Sequence, residues 1–221
     1  MFDAKLSTHR RGFLGSLAAT AAALGLGEFV PRSLAAQPTR APADPTYAAW
    51  LNKITGRHKQ VFDTPEPNDG MGVVWPRVWL NTTNENFGTT DAQNTGVVIL
   101  RHGAIPFALQ DSMWAKYKLG EFFKVNDGAA PSVRNTWLKA LPLPLPGTGI
   151  EALMSAGVLF GGCNVALTVY SMVLAQAQGL DPAAVKADWV ANLIPGVQVL
   201  PSGVLAVNNT QEKGCSYCFA G

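Results

Sequence analysis

Cys163 follows Val158-Leu159-Phe160-Gly161-Gly162 and precedes a long apolar segment from Asn164 to Gln178. That order predicts a short buried strand, a glycine turn and a thiol at the mouth of a helix, since glycine turns the chain without a Cβ penalty. A helix start exposes unpaired N–H groups and a partial positive charge, both of which favour an anion. Thiols in that setting ionise below their ordinary range, and the thiolate is the form that attacks or carries sulfur. Cys163 is therefore the candidate nucleophile. Cys215 and Cys218 stand near the C-terminus as candidate auxiliary thiols, because thiol exchange needs a second sulfur within reach. His102 ends another apolar run and Asn164 follows the cysteine directly, so both are candidates to line the site. The three cysteines with His102 also form a soft ligand set for zinc or cuprous copper. Their spacing opposes that reading, because residues three apart in an extended strand face opposite sides. The sequence assigns no metal ligands and calls for no cofactor: P-loop, Gly-x-Ser-x-Gly and His-Glu-x-x-His segments are absent.

Several elements must position these groups. Val97-Val98-Ile99-Leu100 is β-branched and continuous, as in a buried parallel strand, and leads into Arg101-His102. Ligands in open α/β sheets bind beyond the carboxyl ends of strands, which places His102 at the same crevice as Cys163. Lys59 to Asp63 reads as a first strand, and Val73 to Asn81 as a helix carrying Trp75 and Trp79 on one face. Asp111 to Gly120 reads as a helix with Asp111 as N-cap and Gly120 as its stop, followed by a turn from Asn126 to Pro131. Leu141 to Pro146 alternates proline and leucine, which suits a polyproline connector. Gly147-Thr148-Gly149-Ile150-Glu151-Ala152 matches a nucleotide fingerprint in form only, since prolines and not a strand precede it. The Asn164 to Gln178 helix is apolar almost all round, which predicts burial on more than one face. Asp181-Pro182 opens the next helix; a strand at Val197 to Leu200, a helix from Ser202 and a terminal strand from Cys215 to Ala220 complete the chain. Strands alternating with helices imply an α/β domain with a mainly parallel sheet covered on both faces.

Upstream, Arg10-Arg11-Gly12-Phe13-Leu14, an Ala/Leu-rich run to Leu26 and Ser33-Leu34-Ala35-Ala36 together have the layout of a twin-arginine export signal over residues 1–36. Its apolar run is too short and too rich in Ala and Gly for a stable membrane span. Periplasmic or otherwise exported protein is the expected product. Residues 37–58 then read as linker and N-terminal extension, and 59–221 as the α/β domain. The 17 basic and 15 acidic residues give a net charge of +2, and cleavage would remove four basic and two acidic ones. The balance left is neutral, which excludes a phosphate-tracking surface and argues against nucleic acid as a partner. Three cysteines are too few and odd in number for a disulfide framework.

Gly157-Val158, Cys163-Asn164 opening a helix, Pro195-Gly196-Val197, Leu200-Pro201-Ser202-Gly203-Val204 and the Gln211–Gly214 turn before an aromatic strand together resemble the DsrE/DsrF-like sulfur-relay family. The resemblance runs from about Gly149 to Phe219; the Trp-rich first half lies outside it. It implies a small flavodoxin-like three-layer fold, assembly into homo-oligomers, and a cysteine at the strand-to-helix junction that accepts persulfide sulfur. That role falls on Cys163. A sulfur donor or acceptor protein would then be the partner, with Cys215 or Cys218 resolving or relaying the sulfur. The readings set against it are the soft-metal site and a non-catalytic oligomer component.

Overall fold

The computed structural model describes residues 44–139 and 141–221. The expected export signal lies outside the described residues, as does the start of the expected linker. The rest of that stretch, from Asp44, is the N-terminal extension, and its Tyr47, Trp50, Leu51 and Ile54 are buried. Pro45–Leu51 forms a short helix, α1, whose start is capped by Asp44 accepting from the Thr46 and Tyr47 amides. Its Tyr47, Trp50 and Leu51 are buried against the sheet.

Five parallel strands make the sheet: β1 (Lys59–Thr64), β2 (Thr95–Leu100), β5 (Leu159–Cys163), β6 (Gln198–Leu200) and β7 (Ser216–Phe219), in the order β6-β5-β2-β1-β7. The two residue pairs β3 (Asn126–Asp127) and β4 (Ala130–Pro131) form a separate small antiparallel hairpin where a turn was expected. Side-chain alternation explains the continuous apolar strands. Phe62, Val98, Leu100 and Phe160 enter one buried cluster, while Val61, Val97, Ile99 and Leu200 enter a second on the opposite face. Covered on both faces by helices, the sheet is the middle layer of a flavodoxin-like three-layer α/β fold.

Seven further helices follow α1: α2 (Met71–Phe87), α3 (Asp111–Tyr117), α4 (Leu119–Phe123), α5 (Ile150–Ser155), α6 (Asn164–Gln178), α7 (Pro182–Ala191) and α8 (Gly203–Glu212). Helices α2, α3, α6 and α7 contribute to the first cluster, and α1 and α8 to the second. The chain therefore winds outward from β1 through β2, β5 and β6 over one face. It then returns over the other face through α8 to place β7 beside β1. Helix α2 is longer than Val73 to Asn81 and holds Pro76 in its interior. None of the helices among the described residues is long and apolar enough to cross a membrane.

Three local expectations need correction. Gly161 and Gly162 belong to β5 and not to a turn. A Cβ at Gly161 would sit 2.4 Å from Leu200 Cδ1, so glycine there lets β6 and its leucine approach. Gly120 does not stop a helix either: Lys118, at φ +52, ends α3, and Gly120 lies inside α4 where its missing Cβ makes room for the Ser132 backbone. Asp111 is the first helical residue after the N-cap Gln110, and its Oδ1 accepts from the Asn135 amide at 2.9 Å.

Candidate functional site

Cys163 ends β5 and is the N-cap of α6, with Sγ accepting from the Ala166 amide at 3.4 Å. The local reason is chain order: an extended residue (φ −68, ψ 115) directly before a 15-residue helix leaves the N3 amide aimed back at its side chain. The residue is only 6 % exposed. Asn164, the first residue of α6, is half-buried; its carbonyl accepts from Thr168 Oγ1.

The register sets what lies beside the thiol. Leu100 pairs with Gly162, so Arg101 and Cys163 leave their strands side by side. Arg101 is held by a two-pronged ion pair to Asp63, Nε to Oδ1 at 2.6 Å and Nη2 to Oδ2 at 2.9 Å. Tyr217 of β7 donates its hydroxyl to the same carboxylate at 3.0 Å. Above them, the first residue of α8 is Gly203, where a Cβ would lie 2.7 Å from the Arg101 side chain. The Asp63 hydrogen bond holds the Arg101 proton more tightly than usual, against the effect of burial; the Asp63, Tyr217 and Cys163 charges add smaller effects in the same direction. Burial and then the Asp63 hydrogen bond push the Tyr217 hydroxyl up. The ends of β1, β2 and β5 thus deliver a carboxylate, a guanidinium and a thiol to the carboxyl edge of the sheet, where ligands of open α/β folds bind, and the Tyr217 phenol reaches the carboxylate from within β7.

Sequence reasoning named only the thiol of this group. Asp63, an acidic residue directly after the apolar pair Val61-Phe62 of a strand, was the available signal, because a buried charge requires a partner.

His102 lies at the same edge but turns away from the guanidinium. Its Nδ1 meets Glu66 Oε1 at 2.5 Å, its ring packs edge-on to Tyr170 of α6 at 5.7 Å, and the pair is well exposed. Tyr170 lies about two helical turns, ~10 Å, from the Cys163 cap.

Cys215 and Cys218 are not brought to Cys163. Cys218 pairs with Phe62, which pairs with Val98, which pairs with Phe160. That row spans three strand spacings, ~14 Å, and Cys163 lies a further three residues along β5. A disulfide needs Cα atoms about 4.4–6.8 Å apart. Cys215 is more distant still, at the amino end of β7, packed in the second cluster while Cys218 packs against the first. All three thiols are free. Burial pushes the Cys215 thiol up to about 11 and raises Cys218 as well. The soft ligand set is likewise dispersed: among the described residues, no three His, Cys, Asp or Glu side chains are grouped to hold a metal ion.

No protein-family profile and no curated protein matches this chain. Among solved structures it is similar to a protein of unknown function, MTH1491 from Methanobacterium thermoautotrophicum, at 17 % identity and a TM-score of 0.39. The similarity covers 73 % of this chain and 98 % of that one.

Proposed function

We propose that the chain is a DsrE-like sulfur carrier in which Cys163 accepts a sulfane sulfur from a donor protein. The observation that carries this reading is the thiol itself: an N-cap sulfur at a strand-to-helix junction, receiving an amide hydrogen bond and flanked by Arg101. The cysteine thiolate attacks the outer sulfur of a donor persulfide. One S–S bond forms at Cys163 as the donor's breaks; the donor leaves as thiolate, and no external oxidant or reductant is consumed. The Ala166 amide donates to this sulfur and Arg101 leaves the neighbouring strand beside it. With Cys215 and Cys218 remote in the folded chain, the acceptor thiol comes from a second protein.

Intact-protein and peptide mass spectrometry after incubation with a persulfide donor tests this. A mass gain of one sulfur atom on the Cys163 peptide, lost on reduction and absent in Cys163→Ser, is the expected result. An unmodified Cys163 under conditions that load a control sulfurtransferase overturns the proposal.

We propose separately, from the layout of residues 1–36 alone, that the protein is exported by the twin-arginine route. Replacing Arg10 and Arg11 by Lys should leave precursor in the cytoplasm, because a receptor-read pair of guanidiniums is not replaced by equal charge. Undiminished export of that variant in cell fractionation would remove the twin-arginine assignment.

A further inference from the structure

A cavity of about 370 Å³ opens beyond the carboxyl end of β1, on the opposite face of the sheet from α8, and no step proposed for Cys163 uses it. Its back wall is Trp137, stacked on Phe107 with ring centroids 3.7 Å apart and only 3 % exposed. Trp114 gives its Nε1 hydrogen to the Pro106 carbonyl, whereas Trp137 Nε1 donates to nothing among the described residues. That atom faces Gly70: a Cβ on Gly70 would stand 3.7 Å from it, and both residues line the cavity. Gly70 is also the N-cap of the 17-residue α2, and having no side chain it gives that helix no cap. The first amide of that helix, Met71, already donates to the Asn68 carbonyl, so Gly70 shapes the cavity wall by its missing side chain. Lys124 adds a cation on the other side of the opening, offsetting Asp69, the acidic residue of the lining.

An indole N–H with no acceptor and an ammonium face a space large enough for a small molecule. Such donors are left short of one thing, an oxygen anion. We infer that this cavity binds a small ligand through an oxyanion group, a carboxylate or a phosphate, whose body rests against Trp137. The site is independent of the Cys163 reading.

Titration of the 15N-labelled full chain at constant ionic strength tests it, with inorganic phosphate and benzoate as separate probes. Of the six indole N–H resonances, that of Trp137, identified by its loss in Trp137→Phe and by through-bond assignment, should shift saturably with at least one probe. Phosphate alone moving it marks a phosphate site; benzoate alone marks a carboxylate site. Lys124→Ala, an exposed position, should weaken the response by about tenfold, the scale of one charge-assisted hydrogen bond. A Trp137 resonance that stays put, one that moves only together with the other five, or an undiminished response in Lys124→Ala overturns the proposal.

Discussion

Asp63 shows how a single charge is accommodated in this sheet. Burying a carboxylate costs several kcal/mol unless it is paired and hydrogen-bonded. Here two guanidinium nitrogens and a phenol supply three donors, so the pair fixes Arg101 next to Cys163. Cys215 is the opposite case, a thiol buried without an acceptor. Burial pushes it up to about 11, with Lys59 pulling weakly the other way. Because the folded value lies above that of the unfolded thiol, the unfolded chain loses its proton first as pH rises. The contribution is then complete below about pH 9 and is lost between about pH 9 and 11. The loss amounts to at most about 3 kcal/mol. Tyr47, raised to about 12 by burial, adds a loss of the same sign at higher pH. Cys215→Ala should therefore lose less stability than the wild type between about pH 8 and about pH 10.5 in urea titrations, although it starts lower for want of packing. Equal losses would show that the Cys215 thiol does not set the alkaline limit.

At the scale of the element, β5 is defined by what its glycines leave out. The thiol at its end stands where it does because β6 comes close enough for Leu200 to lie over Gly161. Leu200 is fully buried and has no free direction in which to retreat. Gly161→Ala should cost about 1–3 kcal/mol, the range for overpacking a core. Combining it with Leu200→Ala should recover part of that cost, since the second change vacates the contested space. A double-mutant cycle by chemical denaturation measures the coupling. Strictly additive effects would mean that β5 and β6 do not constrain each other there. The helix that follows departs from the burial its composition predicts. Leu167, Leu174 and Ala175 reach the core, whereas Val165, Val169, Met172 and Val173 are 42–53 % exposed. These four recur at i, i+4, i+7 and i+8, so they form one stripe.

For the whole molecule, that stripe is an apolar face beginning one turn from Cys163, larger than the scattered surface hydrophobes that need no explanation. The DsrE-like resemblance carries self-association, and this face is where we expect it. Wild-type protein should be oligomeric by light scattering, and Val169→Asp should be monomeric with unchanged far-UV circular dichroism. A monomeric wild type at high concentration would set self-association aside and leave the face for a partner.

What the sequence by itself determined was local. A continuous β-branched run marked β2, and Asp181 and Ser202 announced α7 and α8, where their side chains accept from the Ala184 and Leu205 amides. Those signals lie within a few residues of the structure they specify, as periodicity and capping must. It also placed Cys163 at a helix start and sent Cys215 and Cys218 to opposite faces of the sheet, although the last strand is Ser216–Phe219, so Cys215 stands just before it. Strand order was not legible, because adjacency in a parallel sheet is decided by crossovers spanning many residues and by which faces bury together. That order alone separates Cys218 from Cys163 by three strand spacings, and it alone carries Tyr217 from the far end of the chain to Asp63. The guanidinium beside the thiol is a product of the same adjacency: Arg101 and Cys163 are far apart in sequence and meet only because β2 and β5 pair in register.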